Sequence, residues 1–252
     1  ILLGAGLPTK LPDGVMESKV AIAPIVSSGK TVNGLCRYWD RRYHHAPDFI
    51  VLEGPRAGGH LGFSSDEARN PPSLIDLLHE VKEEVKATED KYGRAIPVFA
   101  AGGLSNRSKI EEVIRAGADG VQVGTRFIAT KECDASQAYK EVYVKSSSSN
   151  LVILDSPVGM PARAIDTPFV QLLSQKKRIP PKACVKCLVP CDPYTTRYCI
   201  TNALIEAQKG NLEQGLFFSG DSLDDIKEIL SVEDLMTELM PSWKRLTRPA
   251  TR

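Results

Sequence analysis

The sequence is poor in net charge, in histidine, in aromatic residues and in long apolar runs. Acidic and basic side chains nearly cancel, 31 against 32 in 252 residues. Nothing electrostatic therefore favours nucleic acid or an anionic membrane surface as a partner. No apolar stretch approaches the roughly 20 residues that cross a bilayer. No signal peptide opens the chain, so the expected location is the cytoplasm. There is no initiating Met; the sequence starts Ile-Leu-Leu-Gly, as if already inside a strand. The expectation is that earlier residues of the natural protein precede Ile1. What is present, 42% apolar and 25% charged residues, is the composition of a globular protein. A chain of this length buries a sizeable core as one large or two modest domains.

One of only four histidines sits in the most informative stretch, DFIVLEGPRAGGHLGF at 48–63. It begins as a continuous apolar run, 49–52, which suits a strand buried on both faces. It then empties into a glycine-rich loop that holds His60. In α/β proteins the carboxyl end of the sheet is where chemistry is placed. Glycines let backbone approach a flat ligand, and an imidazole titrates near neutrality. His44 and His45 read as a solvated helix end, and His79 as half-exposed beside the apolar stripe of its helix.

Further strands are expected at 1–4, 20–26, 96–100 and 120–123. Helices are expected at 31–43, from about Ser73, from a cap at Ser105 with Ile110, Val113 and Ile114 along it and Gly117 closing it, and at about 135–145. Alternating strands and helices of this kind mean βα units and a parallel sheet. An open doubly wound sheet and a (β/α)8 TIM barrel compete. Barrels often bind phosphate in the loops after their last two strands, and Ala101-Gly102-Gly103 and Gly124-Thr125 are placed for that role. The barrel reading puts three more βα units ahead of Ile1. Beyond 150, a short strand is expected at 151–154, a turn at 159–164 leading to a helix near 167–175, and helices at about 201–209 and 232–239.

Cys36 and Cys133 are isolated. Cys184, Cys187, Cys191 and Cys199 fall within sixteen residues, in a segment made loop-like by Pro181, Pro190 and Pro193. Four thiolates so close suit a [4Fe–4S] cluster or zinc, with unliganded or disulfide-linked thiols as the plain alternative.

Three motifs in this order, EGPRAGGHLGF at 53–63, PVFAAGGL at 97–104 and GADGVQVGTRFIAT at 117–130, resemble the nitronate monooxygenase family. These are FMN-dependent (β/α)8 flavoproteins, whose fold and motifs the flavin-dependent enoyl-acyl-carrier-protein reductases share. The resemblance covers about residues 1–175, read as the FMN-binding domain with its C-terminal five βα units. Residues 176–252 are read as a small Cys-bearing extension. The resemblance implies His60 as the active-site histidine, facing flavin and substrate. It implies Gly102, Gly103, Gly124 and Thr125 as the phosphate grip, Ala101 and Gln122 as lining, and Ser27 and Glu53 as further flavin contacts. Arg126 would reach phosphate or pair structurally. The family's N-terminal strand and flavin-contacting loop have no counterpart here, and its short members do not carry the cysteine block. Expected activities are oxidation of alkyl nitronates with O2, or NAD(P)H-dependent reduction of an enoyl thioester. A non-catalytic metal-bearing module is the rival from another class. The expected partner is a small-molecule substrate, with a homodimer as one expected assembly.

Overall fold

The computed structural model describes residues 1–240 except Ala5, Lys176, Lys177, Lys182, Val189 and Pro190. Pro190 of the cysteine segment, and the last twelve residues of the expected extension, lie outside the described residues. In chain order the elements begin β1 (Leu2–Leu3), β2 (Ala23–Val26), α1 (Gly29–Tyr43), β3 (Ile50–Glu53) and β4 (Gly59–His60). They continue α2 (Ser65–Arg69), α3 (Leu74–Tyr92), β5 (Val98–Ala101), α4 (Arg107–Arg115), β6 (Gly120–Gln122) and α5 (Thr125–Ile128). Then follow α6 (Gln137–Lys145), β7 (Leu151–Asp155), β8 (Pro161–Ile165), α7 (Pro168–Ser174), α8 (Ile200–Gln208) and α9 (Val232–Leu239).

Two compact units are present. The first comprises Ile1–Ala57, Gly62–Leu104 and Ser108–Gln122. It holds a parallel sheet in the order β1-β2-β3-β5-β6, the α/β class expected from the apolar runs. Ile50, Val51 and Leu52 are all buried, as a strand covered on both faces requires. Val32, Leu35, Cys36 and Trp39 recur at helical spacing on α1 and all are buried. They meet the buried stripe Leu77, Leu78, Val81 and Val85 of α3. Burying each such aliphatic side chain contributes about 1.5–3 kcal/mol. Ser28 caps α1 by accepting from Thr31 N–H, and His44 closes it in the left-handed region, as its helix-end reading anticipates. Ser73 caps α3 in the same way, and Gly93 ends it. On α4, Ile110 and Val113 are buried and Ile114 is exposed.

The second unit comprises Gly58–Leu61, Ser105–Arg107 and Val123–Arg252. Its sheet is antiparallel, in the order β4-β8-β7. This corrects the turn expected at 159–164: the segment from Pro161 is a central strand paired on both sides. Pro161 starts it, a position in a strand that tolerates a missing N–H. Ala162 and Ala164 are wholly buried and leave room for the two flanking strands. The loop around His60 likewise becomes a two-residue strand, with His60 opposite Ala162. The helices expected near 167–175, 201–209 and 232–239 are present as α7, α8 and α9. Tyr143, Ile165, Phe217 and Leu223 centre one apolar cluster; Phe169, Leu173, Tyr198 and Leu216 centre another. Among the described residues no helix is long and apolar enough to cross a membrane.

Candidate active site

In the first unit the expected cofactor-binding residues gather at the carboxyl ends of the parallel strands. Ser27 directly follows β2. Glu53 ends β3, Ala101 ends β5 and Gln122 ends β6, and the register pairs Glu53 with Ala101 and Ala101 with Gln122. Three positions singled out from sequence thus form one row across adjacent strands. Burial pushes the Glu53 carboxyl up to about 7, since no compensating charge offsets desolvation.

Gly102 and Gly103 follow Ala101 with φ of +93° and +77°. A β-carbon on Gly102 would stand 2.7 Å from the Gly54 carbonyl oxygen, and one on Gly103 2.9 Å from the Arg56 β-carbon. The protein alone therefore requires glycine at both places. Beside them lies an open cavity of about 410 Å³, lined among others by Arg56, Ser73, Leu74 and Lys109.

In the second unit, Gly58 packs on Ser219 and Gly220 too closely for any side chain, and Gly59 takes φ +75° to enter β4. His60 follows. Its Nε2 lies 2.7 Å from Ser156 Oγ, and its ring meets Phe218 edge-on at 5.1 Å. Burial lowers the imidazole pKa, which favours the neutral ring at pH 7.

Gly124 caps α5 without a side-chain bond. Its φ is −116° and nothing lies within 4 Å of where a β-carbon would sit. Unlike Gly102, this glycine answers no demand of the protein's own packing; the space it leaves suits a bound group. Thr125 Oγ1 accepts from Gly220 N–H at 3.0 Å. A hydroxyl that accepts one bond still has its hydrogen to donate, so Thr125 remains able to serve a phosphate oxygen. Arg126 does not: it is 4% exposed, donates to the Ser105 carbonyl, and makes a two-toothed pair with Glu238 at 2.9 Å on both oxygens. Its role is structural pairing.

The metal expectation at Cys184, Cys187, Cys191 and Cys199 finds no support among the described residues. All four are free thiols, and no group of three or more His, Cys, Asp or Glu able to hold a metal ion occurs among the described residues. Cys187 Sγ accepts from Thr201 Oγ1 at 3.0 Å, and Cys184 Sγ lies 3.4 Å from Lys186 N–H. Cys199 is the residue before α8. Two of the four sulfurs, those of Cys184 and Cys187, are thus engaged locally.

A family model described as nitronate monooxygenase matches residues 1–242. The chain belongs to the nitronate monooxygenase family. A probable nitronate monooxygenase of Staphylococcus haemolyticus is 27% identical over 246 residues, 96% of this chain and 61% of that protein. One from Staphylococcus saprophyticus is 32% identical over 178 residues, 69% of this chain and 45% of that protein. The chain thus spans about half the length of these curated relatives. Among solved structures, FabK from Thermotoga maritima aligns with a TM-score of 0.72 at 28% identity, covering 97% of this chain and 68% of that one. The match of the family model takes in α7, α8 and the cysteine segment, well past residue 175, where the motif resemblance ends.

Sequence reasoning missed Ser156, Phe218 and the neighbouring Tyr198. None lies in a glycine motif; the one local sign is the turn chemistry of Ser156-Pro157-Val158-Gly159.

Proposed function

We propose that this nitronate monooxygenase family member acts as an FMN-dependent oxidoreductase on a (β/α)8 framework, oxidising alkyl nitronates with O2. One observation carries the reading: His60 has one ring nitrogen engaged by Ser156, while Nδ1 has no protein partner among the described residues. A nitronate is already an anion. The protein therefore needs a hydrogen-bond donor for the nitro oxygens more than a strong base. Nδ1 suits that donor; toward a neutral nitroalkane it would act instead as the base for the α-proton. Bound FMN would supply the electron acceptance. The fit to FMN rests on this chain's own features: the room left at Gly124, the Thr125 hydroxyl with a hydrogen to give, and the glycine turn after β5. By the family likeness Gly102, Gly103, Gly124 and Thr125 would hold its phosphate, and Ser27, Glu53, Ala101 and Gln122 its remaining polar edges. Glu53, with a pKa of about 7, holds or releases a proton on its carboxyl near neutrality.

The test is oxygen uptake with propyl-2-nitronate in the absence of nicotinamide. Uptake, with FMN released on denaturation, supports the reading; a flavin-free, inactive protein sinks it. His60→Ala should keep FMN bound and lower turnover by roughly 10²–10⁴-fold, the scale of a positioned acid or base. The likeness to FabK favours a second reading, NAD(P)H-dependent reduction of an enoyl thioester. Anaerobic bleaching of the flavin by NAD(P)H, then reoxidation by a crotonyl thioester, would decide for it.

A further inference from the structure

α5 carries Thr125, whose hydroxyl the proposed function gives to a flavin phosphate, yet it is four residues long. One turn of helix makes too few internal bonds to offset the cost of its own nucleation. Gly124 in front of it supplies no side-chain cap. Its shape therefore depends on bonds to the rest of the second unit. Gly220 N–H, donating to Thr125 Oγ1 at 3.0 Å, is one of them. A second set comes from one stretch of chain, 230–238.

Just past the helix, Leu230 N–H donates to the Ala129 carbonyl at 3.2 Å, and the Leu230 carbonyl accepts from Lys131 N–H at 2.8 Å. Val232, the first residue of α9, donates its N–H to Glu132 Oε2 at 2.9 Å. Near the far end of α9, both Glu238 oxygens accept from Arg126 Nη2 at 2.9 Å. The other terminal nitrogen of Arg126, Nη1, donates to the Ser105 carbonyl. The Arg126 side chain is 4% exposed and that of Glu238 48%, and among the described residues Glu238 is the one carboxylate within ion-pairing distance of this guanidinium. The buried charge thus belongs to the corner that follows β6, and its counter-charge to the C-terminal helix. A buried guanidinium that loses its carboxylate is left uncompensated and moves toward water or another acceptor. Arg126 follows Thr125 directly, so such a movement disturbs the corner.

We propose that Glu238 is a positioning residue for the phosphate grip: through Arg126 it holds the Gly124–Thr125 corner in the shape that takes a ribityl phosphate, so α9 sets how well the chain distinguishes FMN from unphosphorylated flavin. Glu238 touches neither phosphate nor flavin in this account and acts through Arg126. The hold of α9 on α5 stands on the bonds alone. Its consequence for phosphate rests on the FMN reading above. The sign of the effect separates positioning from charge. A carboxylate repels a phosphate through space, so neutralising Glu238 would by charge alone tighten FMN binding, and an unmasked Arg126 would add to that. A positioning role has the opposite sign: FMN binding weakens although a negative charge has gone.

The test is titration of the flavin-stripped full chain with FMN and with riboflavin, followed by flavin fluorescence, in wild type and in Glu238→Gln, which keeps the side-chain length and one acceptor oxygen. Glu238→Gln should lose roughly tenfold or more in FMN affinity, the scale on which a lost outer partner is felt, and keep riboflavin affinity within about twofold. Glu228→Gln is the charge control: Glu228 lines the same cavity of about 320 Å³ as Arg126 and Glu238, and its loss should leave FMN affinity unchanged or slightly higher. Unchanged or tighter FMN binding in Glu238→Gln overturns the proposal. So does an equal loss for FMN and riboflavin, which would make α9 a support of the fold alone, and so does an equal loss in Glu228→Gln. A second measurement needs no flavin. Amide hydrogen exchange at 125–129 should quicken in stripped Glu238→Gln while α6 keeps its protection, and unchanged exchange at 125–129 overturns the hold of α9 on α5. The two readings fail separately. A wild-type chain that binds FMN no better than riboflavin sinks the FMN reading and with it the consequence for phosphate; a preference for FMN that survives Glu238→Gln sinks the positioning role and leaves the FMN reading standing.

Discussion

Glu53 ends β3 with a carboxyl raised from 4.5 to about 7 by burial. Below about pH 4.5 it is neutral in both folded and unfolded chains and costs nothing. Between 4.5 and 7 the unfolded chain ionises first, so stability falls as pH rises; above 7 the full penalty is present. Glu53→Gln should therefore leave the flavin-free chain unchanged at pH 4.5 and stabilise it by roughly 2–3 kcal/mol at pH 8, an upper figure because the group is partly exposed. Thermal unfolding of both chains at the two pH values measures this, and equal gains at both would remove the buried carboxyl as the cause. At this scale the sequence was readable where chemistry and backbone coincide. A histidine among glycines and a carboxylate at a strand end announce themselves; Glu53 ends a parallel strand, while His60 lies on the antiparallel sheet of the second unit. Ser156 could not be found that way. It reaches His60 across 96 positions of chain, and only the folding of β8 brings it there.

At the scale of elements, the two glycine corners serve different ends. Gly102 has a left-handed φ and a carbonyl 2.7 Å from its missing β-carbon, whereas Gly124 has neither constraint. Gly102→Ala should cost the flavin-free chain at least about 1 kcal/mol. Gly124→Leu should stay within about 0.5 kcal/mol of wild type yet weaken FMN binding by at least roughly tenfold, because its side chain fills the space at the start of α5. Denaturant melts of the stripped chain and flavin fluorescence titrations read the two effects apart; a Gly124→Leu chain that binds FMN normally takes that corner out of the site. The parallel strands and their helices followed from apolar runs and caps. The segment 161–165 did not, because it opens on a proline and Ile165 is its only β-branched residue. Its partners alone make it a strand.

For the molecule as a whole, the cysteines sort by access rather than by spacing. Cys184 and Cys187 are exposed and Cys36 is buried on α1, where burial also raises its thiol pKa. Alkylation of the native chain followed by mass spectrometry should label Cys184 and Cys187 within minutes with no chelator present, and Cys36 only at the rate of unfolding. Protection of the exposed pair until a chelator is added would reinstate a metal. The parallel sheet could be read from sequence because its signals are local. In the second unit the helices could be read too, but the sheet could not, since Gly58–Leu61 joins a body otherwise built from residues beyond 104.

That long-range join has a consequence for biogenesis. The imidazole is seated by a strand and a turn that leave the ribosome about a hundred residues after it. Pairings across such a gap form late. A nascent or prematurely ended chain can thus complete its parallel sheet while its histidine has no seat. The histidine is seated only after every strand of the parallel sheet has been synthesised.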